Sequence, residues 1–133
     1  TLNPSSAASD VYKRQWLRDA AADFTTASDA ISSKDFAALG AVAELSCLKM
    51  HSVMLTSRPT LSYWTPASIT CMDRVRELRA KGNDVFFTVD AGPQIKAVCL
   101  PSSADAVADA LSKTPGVIKV IRSTLGDGAR VLE

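Results

Sequence analysis

A five-residue apolar run, Val85-Phe86-Phe87-Thr88-Val89, stops at Asp90-Ala91-Gly92-Pro93 and resumes from Ile95 to Leu100. Strand-forming residues on both sides of a Gly-Pro bend read as a β-strand pair, so the chain must contain a sheet that turns at residues 90–93. Side chains alternate along a strand. Val85, Phe87 and Val89 therefore point one way, and Phe86, Thr88 and Asp90 the other. If the wholly apolar set meets the core, Asp90 faces the uncovered side, where another domain or a ligand can approach. Asp90 is then either turn punctuation or a placed functional group. Spacing alone favours the turn, because an aspartate carboxylate bonds backbone N–H groups two residues on.

What surrounds this pair has the period of helices. Leu17, Ala20, Ala21, Phe24, Ala27 and Ile31 recur at steps of three and four and form one apolar stripe. Ser33 offers an N-cap for a second helix carrying Phe36, Leu39, Ala43, Cys47, Met50 and Met54, which must end before Pro59. Thr65 and Pro66 open a third helix with Ile69, Met72, Val75 and Leu78 along it, and Gly82 closes it. Ser102 or Ser103 caps a fourth, with Val107, Ala110 and Leu111 inward. Pro115–Ser123 reads as a further strand, and residues 126–128 as a hairpin turn before a short terminal strand. The order α-α-α-β-β-α-β-β is that of an α+β fold with an antiparallel sheet and helices on one face.

At 133 residues and 47% hydrophobic content the chain has room for one domain with a real core. No apolar run approaches the ~20 residues of a membrane span, and the start lacks a signal-peptide hydrophobic region. A net charge of +1 with scattered Lys and Arg argues against a nucleic-acid surface. Cys47, Cys71 and Cys99 are odd in number and have no CxxC pairing, which suits reduced thiols of a cytoplasmic protein. Ser5–Gln15 is polar, and no period in it buries a face. It also resembles translated adapter sequence from the preparation of sequencing libraries, as in reads from environmental DNA. Residues 1–15 are therefore expected to be a non-native tail that packs poorly, and residues 16–133 the domain.

Other constellations carry less. Cys47 and His51 lie one helical turn apart, a spacing that can hold a metal, but no third ligand is nearby and a buried, hydrogen-bonded histidine is preferred; no metal site is expected. Gly126-Asp127-Gly128 has neither the length nor the lysine of a phosphate loop. Tyr63 and Trp64 can stack on a ligand, though aromatics beside a proline turn more often plug a core edge. Arg74, Arg76, Arg79 and Lys81 read as a solvated helix face.

Three stretches together, MHSVMLTSRPTLSYW (50–64), VRELRAKG (75–82) and FFTVDAGPQIKAVC (86–99), resemble the C-terminal domain of the diphosphomevalonate decarboxylases, members of the GHMP kinase superfamily. The resemblance runs from about Trp16 to the chain end, and DAGP is its most specific element. Sibling small-molecule kinases have glycine where this chain has Asp90; the decarboxylases have aspartate. Gln94 departs from the asparagine of many relatives. The resemblance implies a ferredoxin-like GHMP C-terminal domain whose first strand lies upstream. It implies an enzyme of the mevalonate pathway that uses ATP and Mg2+, held mainly by an N-terminal domain, to convert mevalonate 5-diphosphate to isopentenyl diphosphate, ADP, phosphate and carbon dioxide. It gives Asp90 the role of meeting the substrate's tertiary 3-hydroxyl and accepting its proton, and Ala91 and Gly92 that of letting substrate come close. It further implies a homodimer when full-length, and a fragment inactive alone. A related kinase without decarboxylation, or a non-catalytic α+β regulatory or dimerisation module, are the alternatives.

Overall fold

The structure, a computed structural model, describes residues 4–128 and 131, with side chains from residue 10 onward. Four helices and one strand pair follow in the order α1 (Pro4–Ser33), α2 (Phe36–Leu55), α3 (Pro66–Ala80), β1 (Val85–Thr88), β2 (Lys96–Cys99) and α4 (Ala104–Ser112), the last entered through a 3-10 turn at Pro101–Ser103. β1 and β2 pair antiparallel with Val85 opposite Cys99 and Thr88 opposite Lys96, as the hairpin reading expects. The architecture is α+β.

Side chains alternate along β1 as expected, but burial does not, because both faces of the strand are covered through Phe87. Val85, Phe87 and Val89 are almost fully enclosed and cluster with Cys71, Met72, Val75 and Leu78 of α3 and with Val107 and Leu111 of α4. Phe86, on the opposite side of the strand, is buried as well. The first turns of α2 cover it: Phe36 stacks on its ring at 5.2 Å, and Gly40 lets the helix approach so closely that a Cβ there would lie 2.9 Å from the Phe86 ring.

Helix ends follow local chemistry. α3 starts as read, with Thr65 at the N-cap, Pro66 in the first turn, and a reciprocal capping box between Thr65 and Ser68. α2 is capped by Asp35 and not Ser33: the Asp35 carboxylate accepts from the Ala38 N–H at 2.9 Å, and Lys34 makes the reversal from α1 at φ 58°. Ser33 is drawn back into α1, donating to the Asp29 carbonyl at 2.7 Å. Ser103 stands at the start of α4, but its hydroxyl accepts from the Asp84 N–H and so joins the helix to the strand pair.

α1 begins at Pro4 and runs through residue 16 without a break, with residues 10–15 exposed. Three expectations are corrected, the first of which concerns the face that α1 turns inward. Its apolar stripe does not face the core: Leu17, Phe24 and Ile31 are 67%, 74% and 63% exposed, while Trp16, Asp19, Asp23 and Ala30 turn toward α2. Polar partners decide this rotation, because Lys49 of α2 is held between Asp23 at 2.6 Å and Asp19 at 3.5 Å. Second, residues 117–123 form no strand. Val117 and Val120 pack against the core, but no strand runs beside them among the described residues, and a strand needs a ladder partner. The terminal strand expected after residue 128 falls largely outside the described residues. Third, α2 is long and apolar enough to cross a membrane by length and composition. Its polar residues Glu44, Lys49 and His51 are each engaged by other parts of the chain: Glu44 by Arg79 and the Phe87 N–H, Lys49 by Asp23 and His51 by the Val89 carbonyl.

Candidate active site

Asp90 ends the alternation of β1 on the face away from the core, and its side chain is 67% exposed. Its carboxylate meets the ammonium of Lys96 at 2.7 Å. Lys96 opens β2 opposite Thr88, so it shares a face of the hairpin with Asp90 across the turn. The hairpin register was the signal by which sequence reasoning could have found this pair. An exposed ion pair of this kind contributes at most about 1 kcal/mol, so it does not by itself fix the carboxylate.

What fixes the turn lies underneath it. The backbone of β1 bonds β2 along one edge; Phe87 and Val89 turn their polar groups to the other edge, where α2 lies. There the Glu44 carboxylate accepts from the Phe87 N–H at 3.1 Å. The Cys47 thiol accepts from the Val89 N–H at 3.3 Å and donates to the Val89 carbonyl at 3.4 Å. His51 donates from Nε2 to the same carbonyl at 2.9 Å; a carbonyl only accepts, so Nε2 carries the proton. Glu44, Cys47 and His51 sit at i, i+3 and i+7 on one face of α2, a polar line facing the strand. Glu44 also takes Arg79 of α3 in a two-pronged contact at 2.7 and 3.1 Å, and that bond raises the guanidinium pKa further above its ordinary value. Burial pushes the Cys47 and Cys71 thiols up, away from reactive thiolate character.

The far end of the turn is anchored by α3. Ser68, the capping-box residue, donates its hydroxyl to the Pro93 carbonyl at 3.0 Å while its oxygen accepts from the Thr65 N–H. Gly92 makes the bend at φ 94°, a conformation that side chains rarely adopt, and lies half-buried beside an exposed Ala91. His51 is the buried, hydrogen-bonded histidine expected, with Trp64 stacked 4.7 Å from its ring. Trp64 packs against the core edge, and its indole N–H is buried without a partner. Tyr63 takes no part in this arrangement. The arginines of α3 pair with carboxylates: Arg74 with Glu77, Arg76 with Asp73 and Arg79 with Glu44.

The site is thus a solvent-facing carboxylate and ammonium on a hairpin bend whose backbone is tied to two helices. The described residues contain no group of three His, Cys, Asp or Glu side chains placed to hold a metal ion. A shallow depression of about 390 Å3 between α4 and the segment after it, lined by Asp105, Asp109, Val120 and Arg122, does not include Asp90.

Comparison with known proteins places this α+β arrangement as a fragment of the GHMP C-terminal type. The sequence profile described as the mevalonate 5-diphosphate decarboxylase C-terminal domain matches residues 2–126, and the chain belongs to that family. Comparison with the curated proteins finds no match. Among solved structures, the chain is similar to the mevalonate diphosphate decarboxylase from Enterococcus faecalis, in work on mevalonate diphosphate mediated ATP binding: 32% identity, TM-score 0.74, covering 85% of this chain and 36% of that one. It is similar to the enzyme from Staphylococcus aureus at 35% identity and TM-score 0.73, covering 76% and 30%. A further relative, in complex with MVAPP, AMPPCP and magnesium, is 36% identical with TM-score 0.73, covering 77% and 31%. The chain therefore spans about a third of the length of these relatives.

Proposed function

We propose that this chain is the C-terminal portion of an ATP-dependent decarboxylase that converts mevalonate 5-diphosphate to isopentenyl diphosphate, with ADP, phosphate and carbon dioxide as the other products. The observation that carries the reading is Asp90, presented to solvent at the end of β1 within the matched family region. A tertiary alcohol is a crowded, weak nucleophile, and a carboxylate within hydrogen-bond reach orients it and takes its proton as it attacks. Asp90 fills that role, with Ala91 and Gly92 forming the low bend over which substrate passes.

ATP and Mg2+ do not fit on this portion, which has neither a metal cluster among its described residues nor a glycine-rich phosphate loop. They belong to the rest of the enzyme, in keeping with a relative, in complex with AMPPCP and magnesium, of which this chain covers 31%. The three free cysteines suit a cytoplasmic location. The enzyme acts as a homodimer, and this portion alone does not turn over. The first fifteen residues are an adapter-derived extension of the domain.

The test joins this chain to the N-terminal portion of the E. faecalis relative and replaces Asp90 with Asn. The variant keeps the shape and loses the charge. Carbon dioxide release should fall by about 10²–10⁴-fold, the range for a lost general base, while substrate affinity changes far less. Near-normal turnover returns Asp90 to a turn residue. ATP consumption without carbon dioxide release in the parent protein assigns it to a kinase instead.

A further inference from the structure

The exposed pair of Asp90 and Lys96 leaves the aim of the carboxylate to the backbone that carries it, and that backbone is held from below at both ends. One residue before Asp90, the Val89 carbonyl receives Nε2–H of His51 at 2.9 Å and the Cys47 thiol at 3.4 Å. Three residues after it, the Pro93 carbonyl receives the Ser68 hydroxyl at 3.0 Å. His51 and Ser68 are each only 2% exposed, and Val89 is fully buried. They come from different helices: α2 holds the entrance of the bend and the first turn of α3 holds its exit.

These bonds lie beyond the last paired residues of the hairpin, Thr88 and Lys96. Without them, the segment from Val89 to Pro93 would be held at its start by the buried Val89 side chain and the Val89 N–H bond to Cys47, and beyond Val89 by the Gly92 bend and the surface ion pair. We infer that His51 and Ser68 are positioning residues for the Asp90 carboxylate, acting through the Val89 and Pro93 carbonyls and touching no substrate themselves. The inference rests on the reading of Asp90 as the base. The magnitude at stake is large, because a displacement of about 1 Å at a reacting group can cost on the order of 10²-fold in rate.

Each residue has an informative substitution. His51→Leu keeps an apolar side chain but removes the donor, whereas His51→Gln places an amide N–H at a similar reach. Ser68→Ala removes the other tether. In the completed enzyme, His51→Leu and Ser68→Ala should each lower kcat by about 10–10²-fold with KM for mevalonate diphosphate nearly unchanged, and His51→Gln should recover most of the loss. On the 133-residue chain itself, hydrogen exchange at the Val89 amide, which bonds the Cys47 thiol at the entrance of the bend, should quicken in both tether variants, while exchange at Phe86 in the strand stays slow. The exchange measurement does not depend on activity, and with Ser68→Ala it still decides if His51→Leu folds poorly.

Asp90→Asn assayed in parallel separates two failures. If Asp90→Asn abolishes turnover while the tether variants keep wild-type kcat and slow exchange, the positioning role is overturned and the base stands. If Asp90→Asn turns over normally, the base reading fails and takes the positioning role with it. Loss in His51→Leu that His51→Gln does not restore also overturns the inference, since packing and not the hydrogen bond would then be at work.

Discussion

Gly40 shows how much a single missing atom decides. Its backbone passes so close to β1 that a Cβ would sit 2.9 Å from Phe86 Cδ1 and 3.0 Å from Phe86 Cβ. Two effects of Gly40→Ala oppose each other. Helix propensity favours alanine by about 1 kcal/mol, whereas overpacking a well-filled site costs about 1–3 kcal/mol. Phe86 Cβ is fixed to the strand backbone and cannot swing aside, so the steric cost wins. Gly40→Ala should lower stability by up to about 2 kcal/mol in urea unfolding, the balance of those terms. A stabilised variant would mean that α2 can move off the strand. The site was legible at this scale in part. DAGP singled out Asp90, but Lys96 emerged as its partner only through the strand register, and Glu44 was not anticipated at all. A lone glutamate in an apolar helix signals a buried partner, yet nothing local says that the partner is the Phe87 amide, 43 residues away.

At the scale of elements, caps and edges separate what is local from what is not. Thr65-Pro66 stops and starts a helix by its own chemistry, so α3 was readable directly. Ser33 and Asp35 are two residues apart and both can cap, and the choice between them depended on how α1 ends. Asp35→Ala should cost about 1 kcal/mol of stability, the usual effect of losing an N-cap, and Ser33→Ala much less. Equal losses in thermal or urea unfolding would contradict the cap assignment. α2 shows the same limit at larger size. Its Glu44, Cys47 and His51 take the place of a neighbouring strand along one edge of β1. A helix can do this only where three polar side chains at i, i+3 and i+7 meet backbone groups that would otherwise be buried unpaired.

For the whole molecule, the docking of α1 onto α2 is the feature most open to solution conditions. Arg18, with Lys49, holds the Asp19 carboxyl below the usual carboxylate range; Asp23, with Asp19, holds the Lys49 ammonium above its ordinary value. A depressed carboxyl contributes above its unfolded value of about 3.9 and is lost as pH falls through its folded value. A raised lysine contributes below about 10.4 and is lost as pH rises through its folded value. Protection of α1 amides from hydrogen exchange should therefore be greatest between about pH 4 and pH 10 and weaken outside that window. Lys49→Ala should remove the alkaline limb and leave most of the acid one, which rests first on Arg18, and high salt should weaken both; an alkaline limb unaltered by Lys49→Ala would show that the Lys49 pairs do not hold α1. The sequence by itself determined the four helices, the strand pair and the bend that carries Asp90. Each of these follows from period, capping and turn chemistry within a few residues. Only the tertiary structure decided which way the α1 stripe faces, that residues 117–123 do not pair, and that His51 and Ser68 reach the bend. Those outcomes depend on which polar groups are left to satisfy once distant segments meet, and no window of neighbouring residues contains that information.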